Sequence, residues 1–195
     1  MRGKVYRLKV FMKEELLNGS VNLVTRETGA VIRARLEREL SGEADPTAAF
    51  LDFSGIGVID YSCADEVIAK LISRLLSEEY GNKFIVLMGV SSNQMENIEV
   101  ALERKKLAVL CMQGNGSWHV IGFLNNYLRK TLVSVMERGS VTLRELAREA
   151  GIGLNTAGTR LLNLYKKRLI WRSEEFSKEG GRQFAYKSLT AVRGY

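Results

Sequence analysis

The segment that decides the fold of the C-terminal part of the chain is residues 141–170, VTLRELAREAGIGLNTAGTRLLNLYKKRLI. Thr142 followed three positions later by Glu145 has the form of a capping box, in which each side chain accepts the backbone N–H of the other at the start of a helix. Gly151 stands just past the predicted end of this helix, where glycine most easily adopts the left-handed conformation. The pattern predicts a short turn there, followed by another helix from residue 154 or 155 to about 167.

Further elements are predicted on both sides of this segment. Residues 124–138 carry apolar side chains at helical spacing, and Gly139 ends that run. Two strands are predicted at 169–176 and 183–189. Gly180 and Gly181 lie in the loop between them, where they can take positive φ in a hairpin turn. The predicted order is therefore three helices followed by a β-hairpin.

This order of elements resembles the winged helix-turn-helix domain of bacterial repressors. The stretch 141–152 matches their second helix and turn, 155–164 stands where their recognition helix begins, and 165–170 matches the exit into the first wing strand. Gly158 is a departure, at a cost of about 1 kcal/mol relative to alanine inside a helix. It either allows a phosphate or a partner to approach the backbone closely or only weakens the helix. The resemblance implies double-stranded DNA as the partner and transcriptional regulation as the function.

The resemblance also assigns residues to DNA binding. A recognition helix presents its N-terminal outward residues to base edges in the major groove, and these positions are Asn155, Thr156, Thr159, Arg160 and Asn163. Basic residues that follow are expected to bind phosphates, which fix position and not sequence: Lys166, Lys167, Arg168 and Arg172. The wing loop adds two cations that are expected to reach phosphates or a minor groove: Lys178 and Arg182.

The net charge of +7 is unevenly distributed along the chain. Residues 1–122 hold 15 Lys and Arg against 16 Asp and Glu, a balance of −1. Residues 123–195 hold 14 against 6, a balance of +8. A basic domain beside a neutral one is typical of nucleic-acid binding, although a basic face can also serve solubility alone.

The N-terminal part alternates between strands and helices. Helices are predicted at 25–40, 62–80 and 93–106, and strands at 4–12, 49–53, 83–89, 108–112 and 118–122. This alternation is typical of the α/β class, in which helices pack on a mixed sheet. We expect a domain boundary near Gly122, which gives an α/β domain at 1–122 and a winged helix-turn-helix domain at 123–195.

The stretch 49–66, AFLDFSGIGVIDYSCADE, resembles the STAS-like family, which is similar to the anti-sigma-factor antagonists of bacteria. A weaker part of the resemblance lies at 25–29, and the whole covers residues 4–112. It implies a domain that senses a protein partner or a small ligand, or that dimerises. Because two-fold operators usually require a dimeric regulator, a homodimer fits this interpretation.

In the antagonists, a serine after the aspartate at the helix start is phosphorylated. Here Tyr61 follows Asp60, Ser62 stands at their second hydroxyl position, and Cys63 replaces their glycine. The resemblance marks a candidate partner or phospho-switch segment, formed by Asp60, Tyr61, Ser62 and Asp65. The simpler interpretation of Ser62 is a helix N-cap.

Other functional classes find little support in the sequence. Two cysteines, Cys63 and Cys111, are too few for a disulfide framework and are expected to be reduced thiols of a cytoplasmic protein. No signal peptide is predicted, and no apolar run approaches the roughly 18 residues that span a bilayer. His119, the only histidine, lies in an alternating segment typical of a packed strand.

No catalytic triad, phosphate loop or spaced metal ligands are seen. Caps and turns explain the four acidic residues that could hold Mg²⁺, namely Asp52, Asp60, Asp65 and Glu66. We therefore predict no enzyme activity, metal or cofactor. Two functions remain open: a sequence-specific DNA-binding regulator, or a partner-switch module whose winged helix docks protein rather than DNA.

Overall fold

The computed structural model describes residues 1–16, 19–176 and 180–192. It divides into two compact units, the first ending at Phe123 and the second beginning at Leu124. A five-stranded sheet lies in the first unit and a three-stranded sheet in the second. The expected mixed α/β character is confirmed for the first unit, where helices alternate with the strands of a mixed sheet.

The first unit contains five strands, five α-helices and one π-helical turn among the described residues. In chain order these are β1 Arg2–Arg7, α1 Leu8–Glu15, α2 Arg26–Gly42, β2 Thr47–Asp52, α3 Tyr61–Ala64, a π-helical turn Asp65–Ala69, α4 Lys70–Leu76, β3 Lys83–Met88, α5 Ser92–Glu103, β4 Ala108–Met112 and β5 Trp118–Gly122. The strand order is β1-β2-β3-β4-β5, parallel except for β5, which pairs antiparallel with β4.

The core of the first unit lies between one face of this sheet and the helices. Alternate residues of the central strands, such as Leu51 on β2 and Leu87 on β3, belong to a single cluster with Ile32 and Leu36 of α2 and Leu71 of α4. The central strands are almost entirely apolar, as expected when both faces of a strand are buried. This pattern is why the sequence predicted β2, β3 and β4 close to their observed bounds.

The predicted strand at 4–12 is wrong beyond Arg7, because the chain turns there into α1. Leu8, Phe11 and Met12 are buried and recur at i, i+3 and i+4, so they line one face of a helix. The same short run also alternates between apolar and polar residues, and periodicity alone does not separate the two conformations over so few positions.

The N-cap predicted at Ser62 is also wrong. Asp60 caps α3: its carboxylate accepts the backbone N–H of Cys63 at 2.7 Å. The other oxygen accepts the N–H of Thr25 at 3.2 Å, and Thr25 is itself the N-cap of α2. Asp60 thus ties together the starts of two helices, and Ser62 lies inside the first turn.

This geometry predicts unequal effects of two neighbouring substitutions. Asp60→Ala should destabilise the protein by about 1 kcal/mol or more, the typical contribution of an N-cap. Ser62→Ala is the matched control and should cost clearly less, because its hydroxyl does not cap the helix. Urea denaturation followed by circular dichroism gives both values. A larger loss for Ser62→Ala than for Asp60→Ala would contradict the assignment.

The second unit contains three α-helices and three strands among the described residues, followed by one short 3₁₀ turn. These are α6 Asn126–Arg138, β6 Ser140–Thr142, α7 Leu143–Ala150, α8 Leu154–Lys166, β7 Ile170–Phe176, β8 Arg182–Ser188 and the 3₁₀ turn Leu189–Ala191. The strands form an antiparallel sheet in the order β6-β8-β7. The sequence missed β6, since three residues are too few to show an alternation.

The local signals at α7 are confirmed. Thr142 and Glu145 form the capping box, with the Glu145 carboxylate accepting the Thr142 N–H at 2.7 Å. This backbone hydrogen bond, together with the one from the Thr142 hydroxyl, lowers the pKa of Glu145. Gly151 ends the helix at φ 61°, in the left-handed conformation. A tight turn from Gly151 to Gly153 then leads directly into α8.

Candidate nucleic-acid interface

The exposed face of α8 contains the residues predicted to contact base edges. Ala157, Leu161 and Leu164 are buried and fix the inner face of the helix. Asn155 and Thr156 point away from that face and are exposed in its first turn. Thr159 is exposed one turn later, and its hydroxyl donates to the carbonyl oxygen of Asn155 at 2.9 Å. The N-terminal half of α8 therefore presents short polar side chains to solvent.

Arg160 and Asn163 lie at the edge of this face and are half-buried. The Arg160 guanidinium is 5.5 Å from the ring centroid of Tyr127, which belongs to the first turn of α6. All five predicted base-contacting residues line one open cavity of about 450 Å³, together with Tyr127. The structure thus brings them together and adds an aromatic residue that sequence reasoning missed.

Tyr127 is 44% exposed, which makes it part of the same surface as α8. The sequence offered one indication of this exposure: Tyr127 precedes Leu128 and does not fall on the helical spacing of the buried residues of α6. An arginine against an aromatic face is held in a restricted orientation by the cation–π attraction. Tyr127 therefore positions Arg160 between α6 and α8.

Gly158 of α8 lies against the first residue of α7. A Cβ built at this position would lie 2.9 Å from Cδ1 of Leu143. The absence of a side chain lets the two helices pack closely, and the neighbour at that point is Leu143 rather than open solvent. This contact is with a side chain of α7 and tests neither of the two explanations that the sequence left open.

The predicted phosphate-binding cations differ in their exposure. Lys166 is exposed at the end of α8, and Lys167 is half-buried beside it. Arg168 is only 5% exposed and lies near the Tyr165 ring, at 5.7 Å. Its backbone has a positive φ of 58°, unlike the helical residues before it. Its side chain therefore does not continue the exposed face formed by those residues. This burial argues against the phosphate contact that the sequence predicted for Arg168.

Arg172 is held between two aromatic rings. Its guanidinium lies 4.5 Å from the ring centroid of Tyr165 and 4.4 Å from that of Phe184. This stack joins the end of α8 to both strands of the hairpin. Arg172 is half-buried in this stack, which links the hairpin to α8.

The hairpin places Arg182 at its outer end, with a side chain that is 71% exposed. Arg182 pairs in register with Phe176, which is 80% exposed, and its Nη1 lies 3.8 Å from Oε1 of Glu174. The hairpin also contains Glu175, whose pKa is lowered by a hydrogen bond from Lys187. Lys178, the other predicted wing cation, lies outside the described residues.

The proposed switch segment of the first unit is largely engaged in internal contacts. Arg104 donates to the hydroxyl of Tyr61 at 3.1 Å and stacks on its ring at 4.8 Å. Asp65 is buried and bonds to Arg26 at 3.3 Å and to Lys105. Ser62 is half-buried. The segment forms part of the folded surface, with Asp60 as its helix cap.

The two cysteines and the histidine lie in buried or partly buried positions of the first unit. Burial raises the pKa of the Cys63 thiol to about 12, with nearby Asp60 and Glu66 adding to the effect. Burial likewise raises the pKa of Cys111 to about 11, so both thiols, which are free and buried as predicted, stay protonated. His119 lies in β5, and burial lowers its pKa.

Metal-binding and membrane-spanning features are absent from the described residues. No group of three or more His, Cys, Asp and Glu side chains suited to a metal occurs among the described residues. Within the same ranges, no helix combines the length and the apolar character needed to cross a membrane. No model of a known protein family matches the chain, and no curated protein matches it significantly. The functional interpretation rests on the residues and their geometry.

Proposed function

We propose that the protein is a sequence-specific DNA-binding transcriptional regulator, whose second unit is a winged helix-turn-helix domain. The observation that carries this proposal is the outward face of α8, where Asn155, Thr156 and Thr159 stand exposed over a buried row of apolar residues. The short turn from α7 into α8, and the antiparallel hairpin that follows, support the same interpretation.

The chemistry of this face suits base recognition. The major groove of B-DNA is about 12 Å wide and admits an α-helix. Asn155, in the first turn, has the donor and acceptor that pair bidentately with adenine. Arg160, held against Tyr127 at 5.5 Å, supplies a guanidinium of restricted orientation for guanine or for a phosphate.

In this proposal, the basic residues of the second unit supply most of the affinity for DNA. The balance in residues 123–195 is 14 basic against 6 acidic side chains, and sequence-independent binding to DNA comes mainly from contacts between cations and phosphates. Lys166 and Lys167 continue from the end of α8, and Arg182 stands at the outer end of the hairpin. Arg168 is left out of this set because it is buried.

The first unit fits a STAS-like regulatory role in this proposal. The LDFSG strand that carries the resemblance is β2 with the residues after it, and the helix that follows is capped by Asp60. Such a unit would sense a protein partner or a ligand, or hold two copies of the chain together on a two-fold operator.

Asn155→Ala tests the sequence-reading part of the proposal. The variant should lose about 1–3 kcal/mol of binding free energy on the preferred site and relax the preference at one or two base pairs. The measurement is a selection of preferred sites from a random duplex library, followed by titration of the selected duplex.

Asn93→Ala is the matched control, since Asn93 is an exposed helical asparagine of the first unit. It should select the same sites as the wild type with the same affinity. If Asn155→Ala also selects unchanged sites at unchanged affinity, α8 does not read sequence through this residue.

A further inference from the structure

The carboxyl edge of the parallel sheet in the first unit holds a cavity of about 760 Å³. Arg7 and Asp52 end β1 and β2 and are register partners, so they lie side by side at this edge. Helix α1 begins directly after Arg7 and adds Lys9, Val10 and Lys13 to the lining. The volume of this cavity falls within the roughly 300–1,000 Å³ of small-molecule sites.

Basic side chains outnumber acidic ones in the lining of this cavity. Arg7, Lys9 and Lys13 are exposed, and none of them forms an ion pair with another described residue. Elsewhere in the first unit basic residues commonly pair with carboxylates, as Arg35 does with the acidic residues around it. Glu14 also lines the cavity, but its carboxylate lies 3.6 Å from Arg35. With Asp52, the lining holds three basic and two acidic side chains, a net charge of +1.

The placement of these cations is unfavourable for the helix itself. Lys9 and Lys13 are one turn apart on α1, and like charges at this spacing destabilise a helix. Lys9 also lies in the first turn, which contains no acidic residue, near the positive end of the helix dipole. An anion bound between the two lysines would offset the repulsion between them and the repulsion between Lys9 and the positive end of the helix dipole.

The loop after β2 lies against Lys9 and adds polar groups to the lining of the cavity. A Cβ on Gly55, which has φ +79°, would lie 2.8 Å from Cδ of Lys9, so the lysine stem lies against this loop. Ser54 lines the same cavity, and its N–H donates to the carboxylate of Asp52 at 2.9 Å. A carboxylate and a hydroxyl thus stand beside the cluster of cations.

We propose that this cavity binds a phosphorylated small molecule. Arg7, Lys9 and Lys13 hold the phosphate through charge-assisted hydrogen bonds. Asp52 and Ser54 bind hydroxyl or amino groups on the rest of the molecule. The cavity lies wholly within the first unit, so the inference stands whether or not the second unit binds DNA.

The test uses the full chain and inorganic pyrophosphate, measured by isothermal titration calorimetry at constant ionic strength and without divalent cations. We expect saturable binding at one site. The double variant Lys9→Gln/Lys13→Gln should weaken it by about tenfold or more for each lysine, because a hydrogen bond to a charged group is lost at each position. Lys106→Gln, at an exposed lysine of the same unit away from the cavity, should bind as the wild type does.

Three results would overturn the proposal. The first is the absence of saturable pyrophosphate binding by the wild type. The second is equal weakening by Lys106→Gln, which would mean that only the general charge of the surface attracts the anion. The third is unchanged pyrophosphate binding by the double variant with loss of affinity for duplex DNA, which would assign the cluster to the DNA backbone. Circular dichroism verifies that each variant is folded.

Discussion

Charge reversal at Lys166 and Lys167 together is expected to weaken binding of the full chain to duplex DNA on the order of 100-fold, because two charged phosphate contacts are lost. Phosphate contacts carry no sequence information, so preferred and unrelated duplexes should lose affinity to the same extent. The dependence of the binding constant on salt should also become shallower by about two counterions. Fluorescence anisotropy with labelled duplexes measures the loss of affinity, its dependence on the DNA sequence and its dependence on salt.

Two further variants separate this effect from damage to the helix. Lys166 lies in the last turn of α8, where a cation is favoured by the helix dipole and a glutamate is not. Lys166→Gln/Lys167→Gln removes the charges without placing negative ones there and should still weaken binding. Lys106→Glu, at an exposed lysine of the first unit, should have no effect. A loss confined to one DNA sequence would show that these lysines do not act through phosphates.

Glu66→Ala should destabilise the protein by about 1–3 kcal/mol, the usual cost of leaving partly buried donors without their hydrogen-bond acceptor. Glu66 is 3% exposed and bonds to Arg33 at 3.0 Å, to Arg26 at 3.1 Å and to Lys70. Without it, the partly buried guanidinium of Arg33 keeps only Glu37 as a carboxylate partner among the described residues. Urea denaturation measures the loss, and Glu96→Ala, at an exposed glutamate, serves as the control.

The contribution of Glu66 should depend on pH. Burial alone would raise the pKa of its carboxyl group, but the hydrogen bonds from Lys70 and Arg33 outweigh burial and hold the pKa below its usual value. Its stabilising effect is therefore fully present above the unfolded pKa of about 4.3 and disappears as the pH falls through the lower folded pKa. The difference between wild type and Glu66→Ala should shrink below about pH 4. A constant difference down to acid pH would contradict this role.

Features fixed by neighbours in the chain were predictable from the sequence. The capping box of Thr142 and Glu145 is recognisable from their spacing of three residues alone. The C-terminal role of Gly151 is recognisable from its position just after the helix. The inner face of α8 follows from the spacing of Ala157, Leu161 and Leu164. These signals depend on local geometry, so the observed helices agree with them.

Features fixed by distant parts of the chain were not predictable in the same way. Asp60 rather than Ser62 caps α3, and Asp60 is also held by the N–H of Thr25, 35 residues earlier. Arg168 follows two lysines in a basic run, yet its backbone takes a positive φ and its side chain is buried. The contribution of Tyr127 to the α8 surface depends on how α6 packs against α8. Local sequence patterns do not predict this packing.

The most direct test of DNA binding is the dependence of the binding constant on salt, measured with the full chain and duplex DNA from low to physiological ionic strength. Each phosphate neutralised by the protein releases condensed counterions, so the logarithm of the binding constant should fall linearly with the logarithm of the salt concentration, with a slope of about −0.9 per contact. We predict tight binding at low salt and a steep decline that reflects several contacts. No binding at low salt, or binding that does not change with salt, would contradict a DNA-binding function for this protein.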